Sequence, residues 1–189
     1  MRHFSVRPAI TIKGRKFKGL RGFAGKPFHP PLTDFPIAAY VFGAAFDVIS
    51  LVGGKGHTWS HELWHAGTFV FVAGAVASVL TALTGLIDWL RSSEPGTQAR
   101  RTANTHATIM LTVTALALAD IAFRLNDYHT RAYTPAAIAV LSVVIAVLVS
   151  WGATYGGTLV FDYGFNVETA GDSPVWHESE TDVFPGEKH

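Results

Sequence analysis

Three groups of side chains in this sequence could do chemistry. Asp120 and Arg124 stand four residues apart, the spacing at which side chains on one helix face meet as an ion pair. Asp47 falls at a comparable depth of a neighbouring apolar run. Two carboxylates around one guanidinium would either lock helices in register or pass protons, and we read the trio as a charge cluster that fixes register, because unpaired charge in such surroundings costs several kcal/mol. His106 and Asp88 flank one short polar break, and His29 opens the first apolar run at the same level. That set is read first as a hydrogen-bonded latch in which the carboxylate orients an imidazole, with His29 held in a proline-bound turn. Its alternative is a pair of axial ligands, His29 and His106, for a b-type haem. His57, His61 and His65 recur every fourth residue, with His129 at the same level, so zinc or copper could be held if a helix presented them together. Residues 61–65 spell H-E-L-W-H, the letters of a zinc-protease motif. That motif needs a third ligand and a cleft, and the sequence offers a membrane boundary with Trp59 and Trp64 instead, so a surface histidine cluster is expected there and no catalytic residue is assigned.

The elements that must position these groups are four long apolar runs. The first covers about 33–53, entered through a histidine and three prolines, with Thr33 or Asp34 to cap it and Pro36 in its first turn. The others cover about 66–90, 102–124 and 135–161. At 1.5 Å per residue each is long enough for the roughly 30 Å of bilayer hydrocarbon. Each run carries one stripe of small or polar residues at helical spacing. Pro36, Tyr40, Gly43, Asp47 and Ser50 form the first; Gly67, Gly74, Ser78, Thr81, Gly85 and Asp88 the second. The third stripe holds His106, Met110, Val113, Ala117, Asp120 and Arg124, and the fourth Ala139, Ser142, Ala146, Ala153 and Gly157. Small residues let helices approach in lipid, and ionisable ones must look inward. The expected fold is all-α: an up-down-up-down bundle of four transmembrane helices over residues 29–163, between extended tails.

Composition agrees. The chain is 49% apolar and 15% charged, against about 25% charged in ordinary soluble domains. With no cysteine it has no disulfide, thiolate metal site or cysteine-ligated cluster of its own. The tail at 1–28 is basic, with eight lysines and arginines, and lacks the apolar core of a secretory signal. The tail at 164–189 is acidic. Twelve of the fifteen lysines and arginines fall on the side that bears both tails. Both termini are therefore expected to be cytoplasmic.

The segments HPPLTDFPIAAYVFGAAFD, TGLIDW and GGTLVFDYGFNV, together with His106 opening the third helix, resemble a bacterial family of four-helix inner-membrane proteins, the domain of unknown function 2231. The resemblance spans about residues 27–167 and departs from the usual pattern at Phe161, Phe165 and Asn166. It carries over His29, Asp34, Pro36, Asp47, Asp88, His106, Gly156 and Gly157, and it implies a redox or respiratory setting, since some members look joined to Rieske-type iron–sulfur domains. Expected, then, is a membrane anchor or accessory subunit of a redox complex without catalytic activity of its own. A b-type haem electron carrier and a metal-ion or proton-coupled transporter using the outer histidines are the alternatives. Expected partners are the lipid bilayer and a protein of that complex; nucleic acid is not among them.

Overall fold

The computed structural model describes residues 19–20 and 27–166. Nearly all of the basic tail at 1–28 and the acidic tail at 164–189 therefore lie outside the described residues. Four helices account for most of the rest: α1 His29–Gly53, α2 Thr58–Ser92, α3 Gln98–Asp127 and α4 Ala136–Phe161. All four are long and apolar enough to cross a membrane. Among the described residues there is no strand.

The first helix starts earlier than the sequence suggested. Pro30 and Pro31 occupy its opening positions, where a backbone N–H has no intrahelical partner to lose. Correcting the sequence reading, His29 is thus the first helical residue and not part of a preceding turn, and Pro36 lies inside the helix instead of in its first turn. A proline there leaves the carbonyl four residues back without its donor. That carbonyl belongs to Leu32, and it accepts from Thr81 Oγ1 of α2 at 3.4 Å. The neighbouring helix repairs the break. Asp34 caps nothing; it is exposed on the second turn of α1.

Gly54 takes φ 58°, a left-handed conformation that glycine adopts without strain, and ends α1. A single 3-10 turn, Gly54–Gly56, follows, and α2 begins at Thr58, eight residues before the expected start. The Trp64 indole gives the reason: it is buried and donates to the Tyr128 carbonyl at 3.2 Å, tying this first stretch of α2 to the end of α3. Thr97 caps α3 by accepting from the Arg100 amide at 3.1 Å.

Short connections make sequence neighbours antiparallel, and the helices close into a ring. Each of α1 and α3 packs on both α2 and α4, while neither diagonal pair, α1 with α3 or α2 with α4, touches along its backbone. The core is a plug of Tyr40, Phe71, Val113, Ala117, Ile145 and Val149. Phe35, Phe42, Phe69, Leu83, Leu111 and Val147 point outward and are more than half exposed. In water such a coat would be a liability; in lipid it is the solvent-facing surface.

Candidate functional site

Polar groups gather in two layers, one at the end of the bundle where the tails attach and one at the far end. Between them lies the apolar plug. Asp47 is eighteen residues beyond His29, five helical turns and roughly 27 Å along α1, so the two share one face but opposite ends.

At the tail end, His29 Nδ1 lies 3.0 Å from the Thr81 carbonyl oxygen and 3.2 Å from Thr84 Oγ1. His106 Nδ1 lies 2.9 Å from the Gly152 carbonyl oxygen. A carbonyl can only accept, so both Nδ1 atoms carry the proton and, in the neutral rings, both Nε2 atoms keep a lone pair. The rings are seated on glycines. A Cβ at Gly85 would stand 2.7 Å from His29 Cε1, and one at Gly156 would stand 3.1 Å from His106 Cε1. Asp88 and His106 are the ionisable groups whose charges act on His29.

These two half-sites are the same device used twice. In each, a histidine at the tail end of one helix donates to a carbonyl of the next helix, and its ring rests on a glycine four residues further along that helix. The repetition continues to the far end. Arg124 is eighteen residues beyond His106, as Asp47 is beyond His29. Pro36 and Val113, Tyr40 and Ala117, and Gly43 and Asp120 also fall at matched distances from the two histidines, and all are buried. The hairpin α1–α2 and the hairpin α3–α4 thus repeat one pattern of buried positions, in the manner of a parallel repeat.

Asp88 does not orient either imidazole, contrary to the latch expected from the sequence. Its carboxylate, 4% exposed, accepts the backbone amide of Leu20 at 2.7 Å, and the Leu20 carbonyl in turn accepts from the Phe28 amide at 3.0 Å. The carboxylate therefore pins the described piece of the N-terminal tail across the end of the bundle. Asp88→Ala should speed hydrogen exchange at the Leu20 amide by roughly 10- to 100-fold, the worth of about 1.5–3 kcal/mol for a bond to a charged group, whereas Asp88→Asn keeps an acceptor oxygen and most of the protection. Exchange followed by NMR in detergent checks both.

At the far end, Arg124 is fully buried and touches all four helices. Its Nε donates to Asp120 Oδ2 at 2.5 Å within α3. Its two terminal nitrogens donate to the two oxygens of Asp47 on α1, and one also reaches Ser142 Oγ of α4 at 2.9 Å. From α2 the Phe71 ring centre lies 4.5 Å from the guanidinium carbon and that of Trp64 5.3 Å, both within cation–π range. The α1 and α3 backbones are too far apart to meet, so this one side chain spans the diagonal. Asp47 receives further bonds from Ser142 Oγ at 2.5 Å and Thr134 Oγ1 at 3.2 Å.

Beyond it lie the outer histidines. His61 and His65 are neighbours on α2, with ring centres 4.1 Å apart. His65 Nε2 donates to the Tyr128 carbonyl at 3.1 Å, and its ring stacks on that tyrosine at 4.3 Å. His57 stacks on Trp59, and His129 meets Tyr128 edge-on. The four are parts of an aromatic cap over the bundle. Among the described residues, no three histidine or carboxylate groups converge to hold a metal ion. The H-E-L-W-H letters therefore do not assemble a zinc-protease centre here, and Glu62 is exposed.

Asp34, which the resemblance carries over with His29, Asp88 and His106, joins neither layer. The sequence reading missed the layers' second members, Thr81, Thr84, Ser142 and Thr134. Thr81 and Ser142 were visible as positions on small-residue stripes, but their role as partners depends on which helix faces them.

No curated protein and no solved structure matches the chain. A family model described as "Predicted membrane protein (DUF2231)" matches residues 25–169, which takes in all four helices and both polar layers. On that match, and with four membrane-spanning helices to go with it, the chain belongs to this family of membrane proteins.

Proposed function

We propose that this chain is a membrane-embedded subunit of a redox assembly, without catalytic activity of its own, in which His29 and His106 together hold one b-type haem. The observation that carries the reading is the pair of matched imidazoles, donated from diagonal helices with Nδ1 committed and Nε2 free. Metal-binding histidines ordinarily have one ring nitrogen fixed by a carbonyl or carboxylate, so that the other is aimed and made more basic. An ordinary metal ion would ask for three or four protein ligands, whereas two imidazoles would be enough to hold a haem. The donor set fits the haem better than the bare ion. A haem held there supplies one-electron exchange, and the protein's part is to fix both rings, keep water out with the apolar plug, and present the site near the end of the bundle where a soluble partner can dock.

The setting proposed is the inner membrane of a bacterium with both termini cytoplasmic, supported by the twelve lysines and arginines on that side. A transporter has less support, because the core of Tyr40, Phe71, Val113, Ala117, Ile145 and Val149 separates the two polar layers. Purified protein from cells supplied with haem, reduced with dithionite, should give the paired visible bands of a six-coordinate b-type haem. His29→Ala and His106→Ala should each abolish them, and Asp34→Ala, at an exposed position, should leave them intact. Wild-type protein that folds but carries no such bands would sink the haem, and a preparation that never co-purifies a soluble oxidoreductase subunit would count against the redox assembly.

A further inference from the structure

The far-end cluster has a charge imbalance that its geometry resolves. Asp47, Asp120 and Arg124 are each 0% exposed, and two carboxylates face one guanidinium. The two carboxylates are treated very differently. Both oxygens of Asp47 accept bonds, from two guanidinium nitrogens, Ser142 and Thr134. Asp120 accepts one bond, at Oδ2, and its Oδ1 is buried without any partner. An ionised carboxylate oxygen left bare inside a bundle is among the costliest arrangements a protein can hold, while a neutral acid there costs far less.

Among the described residues, the neighbours offer no second cation. Arg124 and Asp47 are the charged groups that act on Asp120. On α2 the groups facing the guanidinium are Phe71 and Trp64, on α4 it is Ser142, and none of these titrates. Thr134 of the α3–α4 connection is likewise neutral.

We propose that Asp120 is a proton-binding site: a neutral carboxylic acid with its proton on Oδ1, beside an ionised Asp47 that alone balances Arg124. The proton comes from water at the far end of the bundle, and its uptake takes the cluster from one net negative charge to none. A buried alkali cation at Oδ1 would balance the charge equally well, and the experiment distinguishes the two.

Infrared spectroscopy of the full-length protein at about pH 5, where exposed aspartates stay ionised, with aspartate carboxyl carbons isotope-labelled, reads the proton directly. The carbonyl stretch of a protonated aspartic acid should be present in wild type, unchanged between sodium-containing and sodium-free buffer, and lost completely in Asp120→Asn. Melting in detergent gives a second readout. Asp120→Asn replaces a neutral acid by a neutral amide of the same shape and should melt close to wild type, whereas Asp47→Asn removes the true counterion and should lower Tm markedly. An acid band missing from wild type, a band suppressed by sodium, or a band that survives Asp120→Asn overturns the assignment. So does an Asp120→Asn variant as destabilised as Asp47→Asn. If Asp120→Asn does not fold, the labelled wild-type spectrum alone still decides whether any buried aspartate holds a proton.

Discussion

Arg124→Ala should unfold the far end of this bundle. The side chain is fully buried and, among the described residues, makes the hydrogen bonds that cross the α1–α3 diagonal, and its removal strands Asp47 among groups arranged for an anion. Breaking a buried pair from one side costs about 3–5 kcal/mol, a fall in Tm of roughly 6–20 °C for a chain of this size. The variant should also lose the packing of the guanidinium on Phe71 and Trp64. Adding Asp47→Ala to Arg124→Ala should recover part of the loss, because a neutral cavity is less costly than an orphaned charge. Thermal melts of the two single variants and the double variant form a cycle that measures the pair. Additive losses would mean that Asp47 and Arg124 are not coupled, against the geometry.

The next largest effect is steric. At Gly43 an added Cβ would stand 2.6 Å from Cδ2 and from Cε2 of Phe71. That ring is fully buried, held against Tyr40 with ring centres 5.4 Å apart and beneath the Arg124 guanidinium, so it has nowhere to go. Gly43→Ala must therefore open the α1–α2 seam, at about 1–3 kcal/mol, the usual cost of overpacking. Gly157 supplies the control. A Cβ there meets Phe161 Cδ2 at 3.8 Å, an ordinary contact. Gly157→Ala should be neutral or stabilising by up to about 1 kcal/mol, since alanine is the better helix former. Paired melts of the two variants test this, and equal Tm values would show that α1 and α2 are less closely packed than the Gly43–Phe71 contact requires.

Much of the architecture was legible beforehand because lipid imposes simple rules. Length and apolarity marked the four helices, and the stripes of small residues marked the faces that turn inward; Asp47, Asp120 and Arg124 were seen as one cluster from spacing alone. The misses have a common cause. The start of α1 was hidden because H-P-P-L-T-D-F-P reads locally as a proline-bound entrance. The partner that makes Pro36 tolerable in mid-helix, Thr81, sits 45 residues away in sequence. The start of α2 was hidden by Gly53, Gly54 and Gly56, and revealed by Trp64 reaching a carbonyl at the end of α3. Asp88 looked like a partner for an imidazole because both are side chains; its partner is a backbone amide, which every residue has and no sequence advertises. The matched half-sites were invisible for the same reason. Their shared elements are a carbonyl and a missing Cβ, and the residues at equivalent positions, Thr81 with Gly152 and Asp47 with Arg124, are chemically unlike.

That last difference decides how the two hairpins can be used. A pair of α1–α2 hairpins brought face to face would set Asp47 against Asp47 with no guanidinium between them, a repulsion in a medium that screens almost nothing. The mixed pair gives Asp47 its guanidinium. The unlike residues at matched positions therefore tell one hairpin from the other, since Asp47 of α1 finds its guanidinium on α3.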